Sequence, residues 1–207
     1  MRGGRIRRLI VGDIHGCSAE LAELLVRARA DRVVVVGDVF TKGPDPAGVW
    51  QILKEVEAVG VLGNHDAGML ARPKRFAAMG LPTAAWDWLA QLPIFREEAG
   101  HIIVHAGLNP VEGVAGTTRS TALAVRRWPD DTTESHPFWW QGWARAERVI
   151  YGHDAKRGLQ DHRPHTLGLD TGCVYGGALT GYLIEEDCLM SVPAKAAYRA
   201  VSRRPKR

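Results

Sequence analysis

The 207-residue sequence contains only three cysteines and no long run of apolar residues. Cys17, Cys173 and Cys188 form no C-x-x-C pair, and an odd number of widely spaced cysteines predicts reduced thiols in a cytoplasmic protein. The apolar stretch at residues 9–11 is followed at once by Gly12 and Asp13, so it is too short for a signal peptide or a membrane span. We therefore expect no disulfide framework and no membrane partner.

Acidic residues are missing from both ends of the chain. Residues 1–8 and 202–207 each contain four basic residues and no acid, whereas the whole sequence has 27 Lys and Arg against 23 Asp and Glu. The residues between these two basic tails therefore include 19 basic and 23 acidic groups, a net charge of −4. The high pI of about 9.1 belongs to the tails, and we expect no nucleic-acid partner for the body of the chain.

Strand and helix patterns alternate in the first half of the chain. The strand patterns are short β-branched runs, at residues 6–11, 33–36 and 59–62. Helical patterns lie between them, one starting at Ser18 and one at residues 45–57. This order predicts βαβ crossovers and a sheet with parallel strands.

The second half of the chain has strand patterns with little helix between the last three of them. These runs lie at residues 102–104, 149–151, 167–169 and 179–184. They indicate antiparallel or mixed pairing. With 45% hydrophobic and 24% charged residues the composition is globular, so we expect a single α/β (α+β) domain over residues 1–207, with two packed sheets flanked by helices.

Two segments, residues 72–92 and 109–143, match neither pattern. Loops of this length usually form functional lids or are disordered. Their tryptophans favour packing instead: the first segment contains Trp86 and Trp88, and the second contains Trp139, Trp140 and Trp143. We predict a small cap of helix and loop, inserted at residues 109–147.

A polar turn follows each of five strand patterns. The turns contain Gly12-Asp13-Ile14-His15-Gly16, Gly37-Asp38, Gly63-Asn64-His65-Asp66, His105-Ala106-Gly107 and Gly152-His153-Asp154. Ligands of open α/β sheets bind at the carboxyl ends of the strands. One such turn alone is more often structural than functional, but five together predict a shared site.

Six side chains in these turns have the chemistry of metal ligands. They are Asp13, His15, Asp38, Asn64, His105 and His153. Carboxylate, amide and imidazole donors without a thiolate suit Mn²⁺, Fe²⁺, Co²⁺, Ni²⁺ or Zn²⁺. Six ligands exceed what one open catalytic ion requires, so the pattern favours two divalent ions that share a carboxylate.

Together these blocks resemble the calcineurin-like metallophosphoesterases of the phosphoprotein phosphatase type. The resemblance runs from about residue 9 to about residue 181 and lies in the order and spacing of the turns. It implies a two-sheet sandwich with a dinuclear metal centre between the sheets, and a general acid at His65. By motif, one ion would be held by Asp13, His15 and Asp38, and the other by Asp38, Asn64, His105 and His153.

The second block departs from the protein phosphatases of this family. Those enzymes resemble Gly-Asp-x-x-Asp-Arg-Gly here, where the second Asp orients the catalytic histidine and the Arg grips phosphate, whereas this sequence has Thr41 and Lys42. Threonine supplies no ionised partner for His65, and Lys42 would bind phosphate as a point charge. The loss of that Asp is typical of the symmetrical diadenosine tetraphosphate hydrolases.

Three further blocks resemble those hydrolases: residues 63–66, 105–110 and 169–180. This chain is shorter than many of them between His105 and His153, the region expected to bind the nucleoside. Trp139, Trp140, Trp143 and Tyr175 could stack on a base or anchor a hydrophobic cluster, and Tyr175 is favoured for stacking because it lies in one of the three blocks.

These features predict a cytoplasmic, metal-dependent hydrolase of dinucleoside polyphosphates that cleaves diadenosine tetraphosphate symmetrically to two ADP. The expected cofactors are two divalent ions, with Mn²⁺ favoured. His65 and Lys42 are expected in catalysis, and Lys42 and Tyr175 in binding a small nucleotide substrate. A serine/threonine or tyrosine protein phosphatase is the alternative enzyme, and a non-catalytic binder of nucleotide or phosphoprotein is a third possibility. The sequence leaves the oligomeric state open.

Overall fold

A computed structural model describes residues 6–200 as two five-stranded β-sheets packed face to face, with helices outside them. This arrangement confirms the predicted two-sheet sandwich. Residues 1–5 and 201–207 lie outside the described part, and with them most of the two predicted basic tails. Within residues 6–200, no helix combines the length and the apolarity needed to cross a lipid bilayer.

The first sheet joins the two ends of the described chain. Its parallel strands come from the first half: β1 (Arg8–Val11), β2 (Arg32–Val35) and β3 (Val59–Gly60). A C-terminal hairpin supplies the antiparallel strands β9 (Ala178–Leu183) and β10 (Cys188–Pro193). The strand order is β10-β9-β1-β2-β3, so β1 lies at the centre.

The predicted run at residues 179–184 is β9 of the first sheet; the other three runs of the second half pair parallel in the second sheet, whose pairing is mixed because of two strands that were not predicted. Its strands are β4 (Phe95–Glu98), β5 (His101–Val104), β6 (Arg148–Tyr151), β7 (Gln160–His162) and β8 (Thr166–Gly168). The order is β4-β5-β6-β8-β7. The three central strands β5, β6 and β8 are parallel, and the edge strands β4 and β7 pair antiparallel with their neighbours.

Two helices make the crossovers of the first sheet. Helix α1 (Ser18–Ala28) connects β1 to β2 and buries Leu21, Leu24 and Ala28. Helix α2 (Pro46–Glu55) connects β2 to β3, and its first residues have the sequence that is typical of a helix N-terminus. Proline is favoured in the first helical turn, and the side chain of Asp45 accepts a 2.8 Å hydrogen bond from the backbone N–H of Gly48.

The contact between the sheets is aliphatic. It is made by alternate residues of the central strands and of the turns that follow them: Ile10, Val34, Val36, Val61, Ile103, Ile150, Leu167 and Leu169, with Tyr182 at one end. Because side chains alternate along a strand, the remaining residues of the first sheet face the helices and those of the second sheet face the segment at residues 109–143. The two halves of the site are therefore fixed to each other through a packed interface.

Residues 72–92, which match no strand or helix pattern in the sequence, form two helices that pack as their tryptophans predict. After α3 (Asn64–Leu70), the helices α4 (Pro73–Ala77) and α5 (Thr83–Gln91) follow in this stretch. Trp88 of α5 packs against the rings of Phe40 and Trp50 at centroid distances of 6.2 and 6.1 Å. The segment belongs to the helical layer of the first sheet.

The segment at residues 109–143 covers the outer face of the second sheet. It contains helix α6 (Arg119–Ala124) and ends in a single 3-10 turn, Trp139–Gly142. Trp139 and Trp143 are buried against Tyr151, and the indole N–H of Trp139 donates a 3.0 Å hydrogen bond to the carbonyl of Ala106. These two tryptophans are packing residues, so they are unavailable for stacking on a base.

Three edge strands were absent from the sequence prediction. They are β4, with the sequence Phe-Arg-Glu-Glu, β7, with Gln-Asp-His, and β10, which ends in proline. Edge strands pair on one side only and are often polar, so they lack the β-branched runs by which central strands are recognised. The central strands agree with the predicted ranges to within a few residues.

We predict that Trp139→Ala lowers the free energy of unfolding by about 3 to 5 kcal/mol, because it removes a fully buried indole and its hydrogen bond. Urea denaturation would measure the change. Val26→Ala, at a side chain that is 74% exposed, should change stability by less than about 0.5 kcal/mol. Equal effects of the two substitutions would contradict the packing described here.

Candidate metal centre

The polar turns that follow five parallel strands meet at one edge of the sandwich. The first sheet contributes Asp13 and His15 after β1, Asp38 after β2 and Asn64 with His65 after β3, and the second sheet contributes His105 after β5 and His153 after β6. All of these are predicted site residues, and the structure brings them together with Lys42, which was also predicted. The first sheet supplies five of these side chains and the second supplies two, so the site is complete only when the sheets are packed.

Asp38 lies at the centre of this group. Its Oδ1 accepts a 2.9 Å hydrogen bond from the backbone N–H of His65 and lies 3.6 Å from His105 Nε2. Its Oδ2 lies 3.5 Å from His15 Nε2 and 3.9 Å from His65 Nε2. One carboxylate therefore faces histidines of both sheets.

Within this group, two sets of donor atoms lie within 4.8 Å of one another, and Asp38 belongs to both. One set is His15, Asp38 and His65, and the other is Asp13, Asp38 and His105. The sharing of Asp38 agrees with the pattern that the resemblance implies. The grouping differs from that pattern in two ways. Asp13 groups with His105 and not with His15, although its Oδ2 lies 4.0 Å from His15 Nε2. His65 is also one of the converging donors.

The histidines of the second sheet present unprotonated nitrogens to the site. His105 donates from Nδ1 to the carbonyl of Val36 at 2.9 Å, which leaves Nε2 as an acceptor 3.0 Å from the acceptor Asn64 Oδ1. His153 Nε2 is buried and has no hydrogen-bond partner in the described part of the chain. Facing acceptors and an orphaned ring nitrogen are stabilised by a cation between them, so these residues fit a divalent metal ion.

Burial opposes the charges that the donors carry. The pKa of Asp13 is raised well above its usual range by burial and by the charges of Asp170 and Asp38, and burial raises the pKa of Asp38 to about 7. Burial also lowers the pKa of His105 to about 4, which leaves the imidazole neutral. Neutral imidazoles around buried carboxylates are what a divalent cation requires, because the cation compensates the negative charge.

Asp170, which follows β8, is a further acid of the site that the sequence analysis did not assign. It is buried, and burial raises its pKa to about 6, with the charge of Asp38 adding to the increase. The signal was present in the sequence, because Asp170 follows the strand pattern at residues 167–169 just as Asp13 and Asp38 follow theirs. Its backbone position places a third carboxyl group beside Asp13 and Asp38.

Asp66 fixes the two loops that carry Asp38 and Asn64. Its carboxylate accepts backbone hydrogen bonds from Asp38 at 2.7 Å, from Val39 at 3.1 Å and from Gly63 at 3.2 Å. The side chain is fully buried, and burial and the charge of Asp38 raise its pKa to about 7. Asp66 therefore holds the Asp38 backbone without being one of the converging donors.

The backbone around the donors is strained and tightly packed. His15, Asp38, Lys42 and His153 all have φ between 46° and 74°, a region that residues with a Cβ rarely occupy. At Gly152 a Cβ would lie 2.0 Å from Asp13 Oδ1. The glycine in this turn is required by the close approach of β6 to the first sheet.

Thr41 and Lys42 both contact His15. His15 Nδ1 donates to Thr41 Oγ1 at 3.0 Å, and Lys42 Nζ donates to His15 Nε2 at 2.9 Å. Lys42 Nζ also lies 5.5 Å from the centre of the Tyr175 ring. Thr41 thus orients His15 and not His65. The carboxylate beside His65 is that of Asp38, whose Oδ2 lies 3.9 Å from His65 Nε2.

Basic side chains lie near the histidines of both sheets. Burial and the charges of Lys42, His105, Arg75 and Arg199 together lower the pKa of His65 to about 4. Arg126 and Arg157 line a small pocket with His153, and their Nε atoms lie 3.7 and 3.2 Å from the carboxylate of Asp154. Neither Arg126 nor Arg199 is marked by a local sequence pattern.

The half-buried aromatic residues beside His153 are already stacked. Trp140 is stacked between Phe138, at 5.5 Å and 9°, and His162, at 4.3 Å and 20°. The guanidinium of Arg157 lies 3.6 Å from the centre of the Phe138 ring. These rings therefore fix Arg157 at the edge of the site, and Tyr175 is left as the aromatic candidate for a base.

Comparison with known proteins gives a consistent result. Symmetrical bis(5'-nucleosyl)-tetraphosphatases of Bordetella pertussis and Coxiella burnetii are 28% and 26% identical to this chain, over 89% and 92% of it and over 95% and 92% of their own lengths. A crystal structure of a candidate diadenosine tetraphosphatase superposes with a TM-score of 0.84 at 36% identity, covering 94% of this chain and 96% of that one. The model of the calcineurin-like phosphoesterases matches residues 6–180. The chain belongs to the calcineurin-like phosphoesterase family.

Proposed function

We propose that this protein hydrolyses the phosphoanhydride bonds of dinucleoside polyphosphates and cleaves diadenosine tetraphosphate symmetrically to two ADP. The observation that carries this proposal is the set of basic side chains around the donor group: Lys42 contacts His15, the charges of Arg75 and Arg199 act on His65, and Arg126 and Arg157 lie beside His153. A polyphosphate chain carries negative charge along its whole length and is attracted by such a set of cations. The names of the relatives from Bordetella pertussis and Coxiella burnetii support the same substrate class.

The family uses divalent metal ions, and the donor set fits two of them. One would be held by Asp13, His15 and Asp38, and the other by Asp38, Asn64, His105 and His153. When bound, the ions supply Lewis-acid stabilisation of the phosphoryl oxygens and an activated water molecule. The mixed oxygen and nitrogen donors favour Mn²⁺, and they also accept Co²⁺, Fe²⁺, Ni²⁺ or Zn²⁺.

We assign to His65 the donation of a hydrogen bond to the leaving oxygen. Its side chain is 39% exposed, whereas those of His15 and His105 are almost completely buried, so it is the histidine of the first donor set that an incoming substrate can reach. A nucleotide leaving group has a conjugate acid with a pKa near 6. It needs less help from an acid than a serine alkoxide does, which suits a histidine whose family partner is replaced by Thr41.

Lys42 and Tyr175 form the substrate side of the site. Lys42 provides a charge for the transferred or leaving phosphate, and the Tyr175 ring beside it provides a surface for the base.

Cys17, Cys173 and Cys188 are all free thiols, which supports a reducing, cytoplasmic environment for this nucleotide chemistry.

The central ligand can be tested by Asp38→Asn. Because Asp38 belongs to both donor sets, we expect the substitution to lower turnover about 10²- to 10³-fold and to lower the bound metal measured by elemental analysis. Asp87→Asn, the same change at an exposed residue of α5, should alter neither quantity. Full metal content in Asp38→Asn would remove Asp38 from the ligand set.

The substrate can be tested by product analysis. With Mn²⁺ or Co²⁺ supplied, diadenosine tetraphosphate should give two ADP, separated by ion-exchange chromatography. ATP with AMP would mean that the bound nucleoside lies one phosphate away from the expected position. Absence of nucleotide products together with rapid release of phosphate from a phosphopeptide would instead identify a protein phosphatase.

The role of His65 can be tested with two leaving groups. His65→Asn should slow hydrolysis of an alkyl phosphate about 10²-fold or more, and should slow hydrolysis of diadenosine tetraphosphate by less than about tenfold, because only the alkoxide depends strongly on a donated hydrogen. The ratio of the two losses in kcat/KM is the measurement. A larger loss on the dinucleotide would contradict this role.

A further inference from the structure

A second group of potential metal ligands lies on the helical side of the first sheet. Cys17 is the N-cap residue of α1, Glu20 lies in its first turn, and Cys173 begins the 3-10 turn Cys173–Tyr175 that follows β8. One donor atom from each of these side chains lies within 4.8 Å of the other two. All three side chains are buried, and the two cysteines pack among the apolar residues between the sheet and its helices. None of them is a donor of the site described above, so the cluster is a separate one.

The carboxylate of Glu20 has no compensating charge in the described part of the chain. Its Oε1 accepts hydrogen bonds from the backbone N–H of Lys195 at 2.8 Å and from the hydroxyl of Tyr198 at 2.7 Å. Its Oε2 is buried without a hydrogen-bond partner, and within residues 6–200 the carboxylate forms no ion pair. Buried carboxylates are ordinarily paired with a cation or bound to a metal ion. Glu20 therefore indicates a cation that these residues do not supply.

The two thiols add the ligands that such a cation would need. A buried cysteine is often only a small apolar residue, but here both sulfur atoms lie beside the carboxylate of Glu20. Thiolate and carboxylate donors together suit a thiophilic divalent ion, and Zn²⁺ binds both. Donor atoms around one tetrahedral zinc ion lie about 3.5 to 3.8 Å apart, so shifts of about 1 Å or less would bring these three into range. Three protein ligands with water as the fourth are an established zinc arrangement.

We propose that Cys17, Glu20 and Cys173 bind a thiophilic divalent metal ion, with Zn²⁺ as the favoured occupant. Binding releases the two thiol protons to solvent, and the ion compensates the charge of the carboxylate. The ion ties the start of α1 to the 3-10 turn that carries Tyr175. Its role is structural, and it does not depend on which phosphate ester the enzyme cleaves.

Titration of the reduced, chelator-treated protein with Co²⁺ tests this site. Thiolate ligands give Co²⁺ a charge-transfer absorption in the near ultraviolet that oxygen and nitrogen ligands do not give. We expect this absorption to saturate at one thiolate-bound ion per chain, and we expect Zn²⁺ to abolish it by displacement, because thiolate ligands select zinc. Elemental analysis of the zinc-loaded protein should find one ion more per chain than in Cys173→Ala.

Three variants assign the absorption to the cluster. Cys173→Ala removes one of the two sulfur ligands and should lower the intensity about twofold or more. Cys188→Ala, the same change at the exposed cysteine, is the matched control and should leave it unchanged. Glu20→Gln keeps both thiols and should weaken Co²⁺ binding at this absorption about tenfold or more.

Asp38→Asn separates this site from the metal centre, because it should lower metal binding there and leave the charge-transfer absorption intact. Absence of that absorption in the unmodified protein would overturn the proposal, and so would equal intensities in Cys173→Ala and the unmodified protein. A disulfide between Cys17 and Cys173 in protein isolated without reductant, with no charge-transfer absorption after its reduction, would identify a redox pair instead of a metal site.

Discussion

The structure depends on keeping the Asp38 carboxylate in place between the two sheets. This buried group lies beside Asp13 and Asp170, so three carboxyl groups occupy a space from which water is largely excluded. Such a cluster is unfavourable without cations, and hydrogen bonds from backbone N–H groups compensate only part of its charge. The left-handed backbone of His15, Asp38 and His153 is a further cost of the same arrangement. Metal binding and the stability of this edge of the fold are therefore coupled.

Packing between the sheets makes that arrangement possible. Neither sheet alone presents all of the donors, and the aliphatic contact from Ile10 to Leu169 sets the distance between the two groups of donors. The glycines of the turns let backbone come into contact with the carboxylates. Gly152 contacts Asp13 of the other sheet, and Gly63 contacts Asp38 of the neighbouring turn. Asp66 then locks the β2 and β3 turns to each other through three backbone N–H groups. The rigidity of the centre comes from these long-range contacts.

Sequence patterns predict the parts of this structure that local chemistry determines. The central strands are β-branched, and a polar turn marks each carboxyl end, so both the sandwich and the cluster of Asp13, His15 and His105 could be expected. The edge strands β4, β7 and β10 could not, because they have one neighbour and no buried alternation. The helices in residues 72–92 could not be predicted either, because both are short and Gly80 and Pro82 interrupt the helical pattern between them. Arg199 joins the site only because its backbone bonds to Val174, a tertiary contact that no local window contains.

The division between the metal centre and its basic rim has a consequence for substrate choice. The converging donors all follow central strands, and they are fixed by the packing of the sheets. The basic residues come from other places: Arg75 from α4, Arg126 from the segment that covers the second sheet, and Arg199 from the stretch after β10. Those segments lie outside the sheets and can change without disturbing the inter-sheet core. We therefore expect selection among phosphate esters to depend on the rim and the common chemistry to depend on the centre. Thr41 links the two by holding His15 beside Lys42.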